Sequence, residues 1–305
     1  MECNWYRKDE NRLLCPSKRL KFLNKACVIR DAERDLTADG EAKNPWKLCT
    51  VQQVEDLKSL LRVIPIWSTG VIFNVISAQP TFPVLQAQSM NRQITRNFSI
   101  PAGSFGIFTI VSIISWILVY NRVVLPLASK FKGAPVHINA KTRIGVGLFF
   151  SFLAMAVTSL VESIRRSIAI KEGLAEFPKA TVPMSALWLI PQNALVGFAE
   201  ASFLTSQVEF YYSEIPKSIS SIVWGLSTLS GCFGSLLASV VLSTVDKATR
   251  EVGSWVSSNI NKGHYDDYYL VLGGISMGNF IYFLACSYAY GPMQEEEHMK
   301  ETSEY

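Results

Sequence analysis

Val196-Gly197-Phe198-Ala199-Glu200-Ala201-Ser202-Phe203-Leu204 sets a single acid inside a run, 184–208, that is otherwise apolar, small or uncharged. At about 1.5 Å per residue, that run is long enough to cross ~30 Å of hydrocarbon as one helix. Glu200 then stands within about one turn of the middle of the span. An ionised carboxylate there costs ~2.5–3.5 kcal/mol on insertion scales, so Glu200 is expected to face a bundle interior or a water-filled cavity. The bland alternative is a permanently neutral acid, hydrogen-bonded to a neighbouring helix. Intramembrane acids more often mark solute pathways and proton relays, so the functional reading leads.

Outward from this run, residues 60–79, 104–127, 144–162, 222–245 and 268–289 are also long and apolar. With 184–208 they make six spans, and the expected fold class is an all-α membrane protein. Only 18% of the residues are charged, fewer than the ~25% usual in soluble domains. These charges crowd into the amino-terminal part and the short loops. Three parts follow: a polar, basic segment 1–58, a six-helix bundle 59–292, and an acidic tail 293–305 read as disordered. Met1-Glu2-Cys3-Asn4-Trp5-Tyr6-Arg7-Lys8 leads into no apolar core, so no cleavable signal is expected.

Orientation follows from Lys and Arg. With both termini inside, the inner segments hold 20 of them and the outer loops 9, which places the amino terminus in the cytoplasm. The net charge of +4 is thereby explained by membrane orientation, and no nucleic-acid partner is expected. Asn97-Phe98-Ser99, a glycosylation sequon, falls on the outer side. Cys3, Cys15, Cys27 and Cys49 lie on the reducing side and Cys232 and Cys286 in spans, so no disulfide is expected. Their spacing holds no CxxC pair, and no metal site is expected.

Polar residues in the spans are patterned. Trp67, Gly70, Asn74, Ser77 and Thr81 recur at three- and four-residue steps on one face of the first span. Cavity lining is preferred there over interhelical hydrogen bonds, which bring only ~0.6–2 kcal/mol each. Pro65 predicts a kink, and Thr50 is a plausible cap for the amphipathic lead-in 51–58. In the second span Arg122 is placed to snorkel to the inner surface. The third is apolar throughout, with Gly145 and Gly147, and shows little that looks functional. Asn193, Gly197, Glu200 and Gln207 form one stripe on the fourth, where Pro191 and Gln192 are expected to loosen the outer end. Ser227, Gly231, Ser235 and Ser239 in the fifth, and Gly274 and Gly278 in the sixth, read as close-packing ladders. Trp224 either walls a cavity or anchors the inner interface.

Taken together, Ile64-Pro65-Ile66-Trp67-Ser68-Thr69-Gly70, Trp188-Leu189-Ile190-Pro191-Gln192, Gly197-Phe198-Ala199-Glu200 and Glu209-Phe210-Tyr211-Tyr212-Ser213-Glu214-Ile215-Pro216 resemble a known family. It is the plant nitrate transporter 1/peptide transporter family, in the proton-coupled oligopeptide branch of the major facilitator superfamily. The resemblance runs from about residue 12 to 292. It implies the carboxyl-terminal half of a twelve-span fold, with 1–58 like the cytoplasmic loop that joins the halves. The first-helix ExxER-type motif for proton coupling has no counterpart in this sequence. Asn121 stands where the family usually has Asp, Ser220 where Arg is common, and Ser77 where a nitrate-transporting member has His; Thr81 keeps that member's threonine. The histidines are 137, 264 and 298, none in a span, and no Lys or Arg lies deep in the six runs. An anion at the midplane therefore lacks a cationic partner in this half.

The expected function is proton-coupled symport of nitrate, small peptides or related small solutes, as half of a twelve-helix carrier that is inactive alone. By resemblance, Glu200 matches the acid that meets the substrate's positive end in peptide-transporting members. Asn74, Ser77, Thr81 and Gln192 line the same cavity, with Trp67 and Trp224 as walls. Partners are a proton, the solute, the bilayer, and the missing amino-terminal half or a related transporter. No cofactor is expected, and the location is multi-pass in a membrane, the plasma membrane first. The alternative is a truncated, non-transporting partner of full-length transporters. An enzyme is disfavoured, since no nucleophile with a base, metal set or phosphate loop is visible.

Overall fold

The computed structural model describes residues 6–7, 15–17, 19–37, 41–79, 81–133, 138–251 and 253–291. Thr50 and Gln53 start the first long helix by bonding each other reciprocally. The Gln53 N–H donates to Thr50 Oγ1 at 3.2 Å and the Thr50 N–H to Gln53 Oε1 at 3.0 Å, a capping box that satisfies donors the helix itself leaves free. Beyond a four-residue helix α1 (Ala32–Asp35), lead-in and first span are then one helix, α2 (Val51–Ser77), which runs through Pro65. The order continues α3 (Thr81–Gln88), α4 (Gly106–Val119), α5 (Leu125–Lys132), α6 (Ala140–Lys171), α7 (Ile190–Glu214), α8 (Ile222–Thr249) and α9 (Tyr265–Tyr290). Two small sheets add to this: β1 (Met90–Asn91) pairs parallel with β4 (Val182–Ser185), and β2 (Gln93–Thr95) antiparallel with β3 (Phe98–Ser99). Asn97 is exposed on the turn of that hairpin.

Five helical stretches are long and apolar enough to cross a membrane: Val51–Gln88, Ala102–Phe131, Ala140–Lys171, Ile222–Thr249 and Tyr265–Tyr290. The remaining long helix, α7, has 25 residues, and its apolar run is diluted by Gln192, Asn193, Glu200, Gln207 and Glu209. The six expected spans are thus six long helical stretches, with α4 and α5 joined by a single π turn, Tyr120–Val124. Pro126 lies in the first turn of α5. It has no N–H to donate back and its ring crowds the preceding turn, and a widened turn relieves both.

Two spans differ from the sequence reading. The third is longer: α6 reaches Lys171, because Glu162, Arg165 and Arg166, which end the apolar run, stay helical. The fourth is shifted. Residues 182–185 form β4 and Ala186–Leu189 a 3-10 turn, so α7 starts at Ile190 and Pro191 sits in its first turn. There its missing N–H costs nothing, and Pro191 starts the helix instead of loosening it.

The chain packs as two compact units. One comprises the described residues of Met1–Pro65 and Tyr211–Val223. In it, buried Cys27, Val51 and Val54 form a small core, Ser218 Oγ donates to Asp56 Oδ2 at 3.0 Å, and Arg62 pairs with Glu214 at 3.4 Å. Burial raises the Cys27 thiol above its ordinary range. Cys15 is disulfide-bonded, contrary to the expectation from compartment, which says nothing about which thiols the fold brings together. Residues 293–305, read as a disordered tail, lie outside the described residues.

The second unit, Ile66–Phe210 with Trp224–Gly291, is the helix bundle. α6 and α7 approach closely at Gly147: a Cβ there would lie 2.8 Å from both the backbone N and the Cβ of Phe203. α7 meets α2 where Phe73 and Phe203 stack at 4.1 Å. α8 meets α2 at Gly234, where a Cβ would lie 2.4 Å from the Asn74 Cβ. Beyond Ser227, whose Oγ is buried, the ladders expected to pack face outward instead. Ser235 and Ser239 are exposed, and Gly231, Gly274 and Gly278 have no neighbour within 4 Å of where a Cβ would stand. Gly147→Ala should therefore destabilise the bundle by about 1–3 kcal/mol, read as a lowered unfolding midpoint in detergent, whereas Gly278→Ala should leave it unchanged.

Candidate functional site

Glu200 lies on α7, half-buried, and has no hydrogen-bond or ion-pair partner among the described residues. It lines a cavity of about 30 Å³ with Ser77 of α2, Ser151 of α6, and Phe73, Ile76, Ala154, Met155, Val196 and Ala199. The carboxyl and two hydroxyls make this space polar enough for one or two waters, and its volume admits nothing larger. Two sequence-predicted residues, Glu200 and Ser77, are thus brought together.

The others are placed elsewhere. Asn74 Nδ2 donates to Gly70 O at 2.8 Å and to Ser230 Oγ of α8 at 3.3 Å. The Trp67 indole donates to Leu226 O at 2.8 Å and meets Phe233 edge-on at 6.0 Å. Both therefore join α2 to α8. Gln207 approaches Gly70, whose missing side chain leaves room for its amide. Gly197 lies against Thr109 and Ser112 of α4. Thr81 opens α3 and is exposed, as is Trp224 near the start of α8.

Gln192 is buried and belongs to a polar chain that the sequence reading missed. Arg165 and Glu162, one turn apart on α6, are both 0% exposed. The guanidinium donates through Nε to Glu162 Oε2 at 2.9 Å and through Nη2 to Oε1 at 2.6 Å. Two of its three remaining donors reach Asn261 Oδ1 at 2.6 Å and Ile260 O at 2.9 Å. Gln86 of α3 donates Nε2 to Glu162 Oε2 at 2.8 Å, and Gln192 donates Nε2 to Gln86 Oε1 at 3.0 Å. The direction of this chain is fixed at one end. A carboxylate only accepts, so Gln86 turns its nitrogen to Glu162 and its oxygen to Gln192. Gln192 Oε1 is left buried and without a partner among the described residues. The missed signal was the Glu162-x-x-Arg165 spacing, which puts an acid and a base on one face of a helix.

Comparison with known proteins fits this bundle. The PTR2 pattern, described as POT family, matches residues 17–258. The chain belongs to the POT family. It is 50% identical to protein NRT1/PTR family 1.1 of Arabidopsis thaliana over 96% of its own length and 50% of the relative's. It is 49% identical to protein NRT1/PTR family 1.2 of the same plant, over 97% of itself and 49% of that protein. The chain spans about half the length of these curated relatives, which fits a carboxyl-terminal half. Its fold resembles the crystal structure of the POT family transporter PepTSo, with a TM-score of 0.59 and 20% identity over 78% of this chain and 43% of that one. An auto-inhibited POT family peptide transporter gives a TM-score of 0.56 at 23% identity, over 78% of this chain and 41% of its own. The protein is accordingly a mostly helical, multi-pass membrane protein of the major facilitator fold.

Removing one partner of a buried ion pair strands the other charge at a cost of ~3–5 kcal/mol. Arg165→Met alone should therefore destabilise the bundle by about that much, and Glu162→Gln with Arg165→Met by clearly less. A chemical-denaturation series in detergent checks both, and equal losses for the single and double variants would contradict the pairing.

Proposed function

We propose that this chain supplies the carboxyl-terminal half of a proton-coupled carrier for small solutes, with Glu200 as its proton- and solute-responsive acid. The observation that supports this most directly is the Glu200 carboxyl, half-buried, unpaired among the described residues and sharing a small, largely apolar cavity with Ser77. A neutral acid crosses hydrocarbon at far lower cost than a carboxylate. Loading and unloading one proton is therefore the cheapest way for such a group to change state. The family of transporters to which the chain belongs adds weight.

The cavity beside Glu200 is too small for nitrate or a peptide within this half alone. In carriers built from repeats, the solute site forms where two repeats face each other. α4 and α8 are open to such a partner: 11% and 17% of their apolar windows are buried, against 50% in α6. Asn74, Thr81, Trp67 and Trp224 are read as the further lining of the site completed by the other half, whereas Gln192, 2% exposed and bonded to Gln86, belongs to the buried amide chain. Among the described residues, no Lys, Arg or His faces Glu200 across the small cavity, so a solute with its own positive group or hydrogen-bond donors suits this half better than a bare anion. The same open faces favour a second reading, in which the chain pairs with full-length relatives without transporting.

In a carrier assembled from this chain and an amino-terminal half of a related transporter, Glu200→Gln should abolish or strongly reduce uphill, proton-driven uptake while surface expression persists. Accumulation equal to the parent's would remove Glu200 from the mechanism. Ser77→His in the same assembly should change nitrate uptake more than peptide uptake, measured side by side. The 305-residue chain by itself should give no solute flux in proteoliposomes, and specific flux there would overturn the half-carrier reading.

A further inference from the structure

A second cavity, of about 580 Å³, lies among α4, its π turn, α6 and α7, and the proposed transport site makes no use of it. Its volume falls in the range of small-molecule sites, ~300–1,000 Å³. One wall is apolar: Trp116, Ile117, Val124, Leu125 and Val146. The other carries an ion pair. Arg143 donates Nη1 to Glu209 Oε2 at 2.5 Å and Nη2 to Thr205 Oγ1 at 3.3 Å, and its guanidinium lies 5.0 Å from the centre of the Tyr120 ring. The pair is not sealed, since the Arg143 and Glu209 side chains are 19% and 40% exposed. Ser202 lines the same space; it is 5% exposed and its Oγ has no hydrogen-bond partner among the described residues.

The chemistry narrows the occupant. An apolar wall opposite a charged one suits an amphiphile. A lone anion would meet the Glu209 carboxylate and a lone cation the Arg143 guanidinium, whereas a headgroup carrying both signs satisfies each. Arg143 stands in the first turn of α6. Glu209 stands near the end of α7. By the distribution of Lys and Arg, these helix ends lie on the inner side, at headgroup depth.

We propose that this cavity holds one phospholipid of the inner leaflet with a phosphoethanolamine headgroup, its phosphate on Arg143, its ammonium on Glu209, and an acyl chain along Trp116 and Val146. The ammonium N–H groups form charge-assisted bonds to the carboxylate. A choline headgroup has no N–H to give, and the Tyr120 face that would stabilise it is already covered by Arg143. This assignment is independent of the solute and of the role of Glu200.

The test is lipid competition. The chain, purified together with an amino-terminal half of a related carrier, is placed in nanodiscs holding equal phosphatidylethanolamine, phosphatidylcholine and phosphatidylglycerol. Bound lipid is then read by native mass spectrometry. Phosphatidylethanolamine should be retained over each of the others by about fivefold or more, and Glu209→Gln should bring it level with phosphatidylcholine. Equal retention of the three lipids by the unaltered protein, or preference for phosphatidylglycerol, overturns the proposal. So does an unchanged preference in Glu209→Gln, since the ion pair would then be only a strap between α6 and α7.

Discussion

The Glu162–Arg165 ion pair, 0% exposed on both sides, sets the constraint that the end of the bundle must meet. Two charges taken out of water are costly unless every lone pair and proton is occupied. Here four of the five guanidinium N–H groups go to Glu162, Asn261 and the Ile260 carbonyl, and Gln86 adds a third bond to the carboxylate. To supply those partners, α3 must lie against α6, and the loop before α9 must fold back to it. Asn261 in turn donates to the Phe177 carbonyl at 3.1 Å, which fixes the connection between α6 and β4. The position of α7 follows, because Gln192 is the next link in the chain.

Glu200 is the counterpart of that pair. The first acid is fully buried and hydrogen-bonded on both oxygens; the second is half-buried and has no partner among the described residues, two turns along α7 from Gln192. A satisfied network rigidifies its surroundings, whereas a lone polar group in a low dielectric is expensive to keep and therefore easy to switch. α7 thus has one end clamped by the amide chain and a middle that carries the group able to change charge.

How much of this was legible depends on whether the signal was local. The six spans could be read because burial in hydrocarbon demands an apolar run of fixed length. Thr50 was legible as a cap, and Glu200 as an isolated acid. The end of the third span was misread at Glu162, because a charge normally marks water and only the partner on the next turn and Gln86, 76 residues away, makes it a buried group. Pro191 was misread for a similar reason: β4 occupies the first residues of the apolar run, and nothing in the run itself says that its backbone pairs with β1.

The ladder Gly231, Ser235, Ser239 shows the same division. Its spacing determined that one face of α8 is smooth, but not what lies against it. In the structure α2 takes the neighbouring face through Gly234 and Asn74, and the ladder is left outward. The sequence by itself determined the number of spans, their approximate limits, the family and the single uncompensated acid, since these depend on residue type and on distances along one helix. The tertiary structure alone decided which polar groups meet, which glycines are in contact and which faces stay open. Those are properties of pairs of helices, set by contacts between residues far apart in the chain.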